Sequence, residues 1–299
     1  MMESAAFSYS TIEIANSLKG ESAVFALNYR SNAVVKLTEG KKIKFHDPSF
    51  IRFRDVVKKT LDFFGKDYGC EVNITVEIPP GLGLGFDEAV SSSIMLSLCG
   101  ALARAEGAVY ELRIDKYVRE QVFEIDGSFV NFLDLLRELS SKDLRFDRFF
   151  SSLYGGFIVA DNNLKTVLRR GEMESLYAAL LLPGDKGGAG LDTGLFLNEA
   201  QIVCDEALKG NLYSAMKLNG LFYSPQSMGG VLSKGALTAT ANREGVVVAL
   251  CRDRETAGKI SELVCETANK KAVVGGKPIR IIKVNEFLKM KGDEEFYWI

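Results

Sequence analysis

The chain has 299 residues, of which 47% are apolar and 25% are charged, and its net charge is −2. These values predict a globular protein with one large or two closely packed domains, and the small net charge argues against a nucleic-acid partner or an anionic membrane surface. The sequence contains no apolar run of the roughly 18–20 residues that span a bilayer, and its N-terminus does not read as a signal peptide, so we expect a cytoplasmic protein without membrane contact.

Histidine and cysteine are too few and too scattered to suggest a metal or disulfide site. His46 is the only histidine in the sequence, which argues against Ser-His-Asp chemistry and against metals bound by histidine pairs. It stands close to Pro48 in a segment that predicts a surface turn. The five cysteines include no C-x-x-C pair, so we expect buried thiols and no metal site.

Apolar spacing in the first half predicts alternating strands and helices. Apolar residues every three or four positions indicate helices, whereas strict alternation with polar residues indicates half-buried strands. In chain order the predicted elements are a short helix (12–18), two strands (22–28 and 33–37) around a polar turn (29–32), a helix (50–64), a strand (72–78), a long buried helix (86–105) and helical stretches over 110–140.

The second half shows a different order of elements, which suggests a second domain. The predicted elements are strands at 157–160, 165–168 and 177–182, helices at 195–208 and 212–222, two strands within 235–251 joined by a turn at 242–245, a helix at 255–268 and a strand at 279–284. We therefore predict an α+β fold with one domain over residues 1–155 and another over 156–299.

The link between the strand at 72–78 and the long helix is the most informative local feature. It reads I-P-P-G-L-G-L-G-F-D-E-A over residues 78–89. Glycines let backbone N–H groups approach an anion, and the start of a helix adds the positive end of its dipole, so the link can form a phosphate cradle. It matches neither a P-loop nor a G-x-G-x-x-G fingerprint, and a simple tight turn is the structural alternative.

Two further segments follow the glycine loop in order: F-D-R-F-F-S-S-L-Y-G-G-F-I-V-A-D-N at 146–162 and E-A-L-K-G-N-L-Y-S-A-M-K-L-N-G-L-F-Y-S at 206–224. Together the three resemble the GHMP small-molecule kinases, and specifically the archaeal shikimate kinases, over most of the chain. The resemblance implies an N-terminal domain like domain 2 of ribosomal protein S5 and a C-terminal ferredoxin-like domain. It also implies ATP and Mg²⁺ at the glycine loop and phosphorylation of shikimate at its 3-hydroxyl group in the cleft between the domains.

The resemblance implies that the backbone N–H groups of Gly81, Gly83 and Gly85 bind phosphate. An ungapped match puts Asp87 and Glu88 where the family has serines, in the first turn of the helix. A carboxylate about 4 Å from an anion costs about 4 kcal/mol at an effective dielectric constant of about 20, unless a cation such as Mg²⁺ intervenes. The structural alternative is that the two carboxylates complement the helix dipole.

A gapped match is the other option for the loop, and it brings Ser91 and Ser92 to the positions of the family's serines as metal or phosphate contacts. In the next segment, the aspartate that takes the substrate proton in the family falls on Arg148, which cannot act as a base. Asp147, directly before it, is the candidate for base or hydroxyl-orienting group, and Arg148 is a candidate for stabilising the transferred group. For both residues a solvated charge is the structural alternative.

Two other family segments have changed as well. The family's second glycine loop, S-G-T-G-P-S, corresponds to T-A-T-A-N-R-E-G at 238–245, and the segment at 16–23 retains Gly20, Ser22 and Ala23. The leading hypothesis is an ATP-dependent kinase of shikimate. The alternative is a catalytically degenerate homologue that binds a ligand or a partner. The sequence leaves the oligomeric state open.

Overall fold

The computed structural model describes residues 2–16, 19–106, 109–114, 119–125, 128–182, 196–267 and 281–284. The strands are β1 (Glu3–Asn16), β2 (Glu21–Thr38), β3 (Ile43–Phe45), β4 (Gly69–Val76), β5 (Val109–Ile114), β6 (Arg119–Ile125), β7 (Ser128–Asn131), β8 (Phe157–Asp161), β9 (Thr166–Gly171), β10 (Leu176–Leu181), β11 (Thr238–Ala241), β12 (Val247–Cys251) and β13 (Ile281–Val284). The helices are α1 (Arg54–Phe63), α2 (Phe86–Glu106), α3 (Phe132–Leu139), α4 (Phe146–Tyr154), α5 (Leu197–Lys209), α6 (Leu212–Tyr223), α7 (Pro225–Ser233) and α8 (Arg254–Thr267).

The 18-residue strand β2 organises the larger sheet. It pairs antiparallel with β1, β4 and β8, and it meets β13 through the pair Val284 and Leu27. From β13 the sheet continues through β10 and β12 to β11, while β5, β6 and β7 form a separate sheet. Strands from both sides of the predicted boundary at 155/156 therefore belong to one sheet, and the division into two domains there stays a prediction.

Three predictions for the first half were wrong. Residues 12–16 lie in β1 instead of a helix, residues 29–32 lie inside β2 instead of a turn, and the described parts of 110–131 are strands, with a helix only at α3. β1 does not show the alternation of apolar and polar residues typical of a half-buried strand, because helices from both halves of the chain pack on it. Thr11 and Glu13 are therefore buried as well as Ile12 and Ile14. Residues 17–18 of the predicted helix lie outside the described residues.

The long helix α2 is confirmed and forms the centre of the larger core. It is long and apolar enough to cross a membrane, but 83% of that stretch is buried inside the protein. Small residues allow close packing on β1: a Cβ at Gly100 would lie 2.4 Å from Ser4 Oγ. The position of α2 fixes where the preceding glycine loop sits.

The predictions for the remaining described segments are largely confirmed. The helix predicted at 50–64 begins as a 3₁₀ turn at Pro48–Phe53 and continues as α1. The strands at β8, β9, β10, β11 and β12 and the helices α5, α6 and α8 lie where the patterns predicted them. Helix α7 was missed because S-P-Q-S-M-G-G reads as a loop, although Pro225 at its first position is compatible with a helix start. Residues 195, 268, 279 and 280 of the predicted elements lie outside the described residues.

Candidate active site

The glycine loop between β4 and α2 has a backbone that alternates in handedness. Gly81, Gly83 and Gly85 have φ angles of +76°, +63° and +65°, whereas Leu82 and Leu84 between them do not have positive φ. Alternation of this kind turns successive peptide N–H groups toward one concave side, an arrangement called a nest that binds anions. We call residues 81–85 the nest.

Three consecutive carbonyl groups of the nest accept hydrogen bonds from three different elements. The pairs are Asn242 Nδ2 with Leu82 O (2.7 Å), Arg148 Nη1 with Gly83 O (2.9 Å) and the Thr11 backbone N–H with Leu84 O (3.0 Å). In a trans peptide the carbonyl and the next N–H point in opposite directions. The N–H groups of residues 83–85 therefore face away from these donors, and none of them has an acceptor among the described residues.

The two carboxylates in the first turn of α2 point in different directions. Asp87 is exposed and forms an ion pair with Arg52. Glu88 is buried, and its Oε1 accepts a hydrogen bond from the backbone N–H of Arg145 at 3.4 Å. Burial raises the pKa of Glu88, and the attraction of Arg148 only partly opposes the rise. The repulsion expected at the nest is thus weakened, because one carboxylate is paired with a cation and the other is shifted toward its neutral form.

Ser91 and Ser92 lie in the core, which argues against the gapped match. Helix α2 begins at Phe86, directly after Gly85, and both serines are fully buried in its next turn. The Ser92 hydroxyl lies 3.5 Å from the carbonyl oxygen of Phe149, and the Ser91 hydroxyl has no partner in the described part of the chain. No hydrogen bond of either hydroxyl to the nest occurs among the described residues, and their assignment as phosphate or metal contacts stays a prediction.

Asp147, at the start of α4, is completely buried in a network of hydrogen bonds. Arg145 donates from Nε to its Oδ1 at 3.1 Å and from Nη2 to its Oδ2 at 2.7 Å, and the Ser22 hydroxyl donates to Oδ2 at 2.6 Å. Burial alone would raise the pKa of Asp147, but Arg145 and Ser22 hold it below its usual range. A general base needs an oxygen within reach of the substrate, and both Asp147 oxygens are occupied here, so its role as base or hydroxyl-orienting group stays a prediction.

Arg148 lies between the nest and a buried glutamate. Its side chain donates to Gly83 O through Nη1, and Nη2 lies 3.3 Å from Glu13 Oε1. Its Nε has no partner among the described residues. Glu13 also pairs with Arg145, and although burial would raise the pKa of Glu13, the two arginines lower it. Arg148 is thus a charged contact of the nest and is not the solvated charge of the structural alternative.

The segment at 238–245 contacts both the nest and β1. Asn242 is buried at the end of β11, and its side chain reaches Leu82. Thr240 donates from its hydroxyl to the backbone oxygen of Glu13 at 2.9 Å. Glu244, in the following turn, lies so close to Gly83 that a Cβ there would be 2.1 Å from Glu244 Oε2. This segment, which the resemblance matches to a second glycine loop, borders the nest.

The described residues hold no group of three or more histidine, cysteine, aspartate or glutamate side chains that could bind a metal ion. His46 is exposed after β3, as predicted, with Nε2 4.0 Å from a carboxylate oxygen of Glu71. Four cysteines are buried free thiols, also as predicted: Cys70, Cys99, Cys204 and Cys251. The side chain of Cys265 lies outside the described residues.

No protein-family model matches the chain. Shikimate kinase of Pyrococcus furiosus is 25% identical over 268 residues, which cover 82% of this chain and 90% of the relative. Shikimate kinase of Methanothrix thermoacetophila is 25% identical over 302 residues, covering 97% and 96%. Among solved structures, homoserine kinase from Cytophaga hutchinsonii superimposes with a TM-score of 0.64 at 15% identity, covering 96% of each chain. Methanococcus jannaschii mevalonate kinase gives a TM-score of 0.59 at 14% identity, covering 93% and 96%.

The chain is a GHMP-fold relative of the archaeal shikimate kinases. The α+β GHMP fold predicted from the sequence is thereby confirmed. Within this GHMP-fold chain, the nest lies at the predicted phosphate loop, and Arg148 lies directly against it. The other candidate side chains are paired, buried or both: Asp87, Glu88, Ser91, Ser92 and Asp147.

Sequence reasoning on this GHMP-fold chain missed Glu13, Arg145 and Asn162. The Asn162 side chain accepts from the backbone N–H of Asp147 at 3.0 Å and donates to Ser22 Oγ at 2.7 Å and to Gly20 O at 3.1 Å. The sequence could have indicated Asn162, because it is the last residue of the matched segment at 146–162. Two of its partners, Gly20 and Ser22, lie in the retained part of 16–23. Glu13 and Arg145 belong to no quoted motif, and nothing in the sequence marked them.

Proposed function

We propose that this chain transfers the terminal phosphoryl group of ATP to a small hydroxylated acid, with the 3-hydroxyl group of shikimate as the acceptor. The observation that carries the proposal is the set of three backbone N–H groups at residues 83–85, just before α2, which have no acceptor among the described residues. The relatives named shikimate kinase, which this chain matches over 90% and 96% of their lengths, support the choice of acceptor.

The residues present fit a polyphosphate at the nest. The backbone of Gly81, Gly83 and Gly85 would hold the phosphates, and the N-terminus of α2 adds a favourable dipole. ATP supplies the transferable phosphoryl group, and Mg²⁺ supplies charge neutralisation. Glu244 is the carboxylate next to the nest and would be the protein group that faces Mg²⁺.

The site offers positioning and charge but no free general base among the residues that the sequence suggested. Asp147 has both oxygens occupied, and the guanidinium of Arg148 stays protonated. Phosphoryl transfer depends mainly on positioning and charge stabilisation, while a positioned base contributes roughly 10²–10⁴-fold. We therefore expect turnover that is slow by about this factor compared with a kinase that has the base.

The same observation favours a second candidate function, a homologue that binds a phosphorylated ligand without turnover. Arg148 occupies the position of the family's base and bonds to the nest. A site built in this way can recognise an anion even if it cannot accept the proton of a hydroxyl group. In both functions the partner is a small molecule, with no nucleic acid or membrane involved and a cytoplasmic location.

A calorimetric titration with ATP and Mg²⁺, with and without shikimate, tests the two functions when ADP release is assayed in parallel. Heat of binding together with ADP release that requires shikimate supports the kinase. Binding without ADP release supports the binding protein and rejects the kinase. If millimolar ATP gives no heat, the nest does not bind the nucleotide and the kinase is rejected; if inorganic pyrophosphate gives no heat either, the binding protein is rejected as well.

A further inference from the structure

We infer that Arg148 and Asn242 are positioning residues of the nest. Arg148 fixes one peptide plane through the carbonyl oxygen of Gly83, and Asn242 fixes another through that of Leu82. The inference rests on the proposed function, because it assumes that the nest binds phosphate. It assigns to Arg148 a role that differs from catalysis, although the residue occupies the position of the family's base. It also gives a role to the altered segment at 238–245.

The orientation of the Asn242 amide group is fully determined by its partners. The side-chain Oδ1 accepts from the backbone N–H of Val246 at 2.9 Å, and the backbone N–H of Asn242 donates to Val246 O at 3.0 Å. Because Oδ1 is engaged in the hairpin, Nδ2 must face the nest, where it donates to Leu82 O at 2.7 Å. An aspartate here would present an acceptor to that carbonyl and could not form the bond.

Arg148 binds the neighbouring peptide group of the nest. It comes from the first half of the chain, whereas Asn242 comes from the second half. Its Nη1 donates to Gly83 O at 2.9 Å, and its side chain is only 11% exposed. The Nη2 atom lies 3.3 Å from Glu13 Oε1, and this ion pair keeps the guanidinium in place. A lysine can donate one hydrogen bond to the same carbonyl, whereas a methionine fills the space without a donor.

These two bonds matter because the nest consists largely of glycine. Glycine adopts positive and negative φ with similar ease, so a glycine-rich loop does not hold its peptide planes by its own sterics. The bonds to Leu82 and Gly83 supply that order and leave the N–H groups that follow each carbonyl facing away from the two donors. Order of this kind before binding raises affinity, because the loop does not have to be immobilised by the ligand.

Binding of inorganic pyrophosphate, measured by calorimetry at fixed salt, tests the inference. We expect Asn242→Ala and Arg148→Met to weaken binding by about tenfold, the usual effect of one hydrogen bond. Arg148→Lys should stay within about threefold of the original affinity. Asn242→Asp should be weaker than Asn242→Ala, and Asn163→Asp is its matched control, because Asn163 is exposed and bonds to Lys19 O.

Selective ¹⁵N-glycine labelling supplies a readout that a general loss of stability would not reproduce. In the unmodified chain, pyrophosphate should shift the amide signals of Gly83 and Gly85, and in Asn242→Ala these shifts should shrink while the other glycine signals stay in place. Unchanged affinity in Asn242→Ala and Arg148→Met would overturn the inference and leave the proposed function standing. Equal losses in Arg148→Lys and Arg148→Met would also overturn it for Arg148. If the unmodified chain does not bind pyrophosphate, the inference and the proposed function both fail.

Discussion

The partly buried Arg145 and the fully buried Asp147 are joined by two parallel hydrogen bonds, of 3.1 Å from Nε to Oδ1 and 2.7 Å from Nη2 to Oδ2. Both residues lie at the start of α4, two positions apart, and Arg145 extends the pair to Glu13 on β1. The start of α4 is therefore tied to β1 by charge. The same start carries Arg148, so this pair indirectly determines where Arg148 meets the nest.

Replacing Asp147 by asparagine should lower the free energy of unfolding by about 3 kcal/mol, because removing one partner of a buried ion pair leaves the other uncompensated. Urea unfolding at neutral pH measures the loss. Asp134→Asn is the matched control, since Asp134 is an exposed helix residue paired with Arg137, and it should leave the stability unchanged. Loss of shikimate-dependent ADP release in Asp147→Asn without a loss of stability would contradict this account and support Asp147 as a catalytic residue.

The stability of the protein should fall steeply in acid. The folded-state pKa values of Asp147 and Glu13 lie below their ordinary values of 3.8 and 4.5. Burial raises both, but Arg145 and Arg148, with the Ser22 hydroxyl at Asp147, together outweigh it. Their contribution to stability is complete above the ordinary values and is lost as the pH falls through the lowered values. The midpoint of urea unfolding, measured between about pH 2 and pH 7, should fall as the pH falls through these values. The fall in midpoint should be smaller in Asp147→Asn. Parallel pH profiles in the two proteins would contradict this account.

Glu88 should have the opposite effect, because burial raises its pKa in the folded state above the ordinary value of 4.5. Its charged form is disfavoured by folding, so stability decreases as the pH rises from the ordinary value through the raised one. Glu88→Gln should therefore be more stable than the unmodified chain at neutral pH, with the gain disappearing in acid. Thermal unfolding at several pH values tests this, with exposed Asp87→Asn as the control that should show no such gain.

Two glycines of the nest allow backbone strain to be separated from steric exclusion. Gly81 and Gly83 both have positive φ, so alanine at either position costs about 1–2 kcal/mol. A Cβ at Gly81 meets nothing within 4 Å, whereas one at Gly83 lies 2.7 Å from Asn242 Nδ2 and close to Glu244. Glu244 is exposed and can move, but the buried amide of Asn242 would have to give up Leu82. We expect the loss of stability to be larger in Gly83→Ala, by about 1–3 kcal/mol for the lost hydrogen bond, and pyrophosphate binding to be at least about tenfold weaker in Gly83→Ala alone.

The sequence was sufficient to locate the nest and α2. Alternation over 72–78, the Pro79-Pro80 stop and a long run of apolar and small residues each follow from local physics. The pairing of Arg145 with Glu13 could not be found in this way, because the two residues are 132 positions apart and only the fold brings them together. For Arg148 the family comparison gave the place in the chain but not its bond to Gly83.

The two carboxylates after the nest show a second limit of sequence reasoning. Asp87 and Glu88 are adjacent, and the ungapped match treated them alike, either beside the phosphate or as complements of the helix dipole. Successive residues of a helix point about 100° apart, so the rotational position of α2 decides which side chain faces outward. Packing of α2 against β1 and β2 sets that rotation, and it turns Asp87 to Arg52 and Glu88 into the interior.

Strand β2 pairs with four other strands, two of which, β8 and β13, come from the second half of the chain. The two halves of the chain are thus joined through β2, and separating them would break the hydrogen bonds between β2 and its partner strands. Amide hydrogens in the middle of β2 should be among the slowest to exchange with deuterium, at rates that report the unfolding of the whole molecule. A cut in the chain near residue 155 would then yield two fragments that recover their structure only when they are mixed.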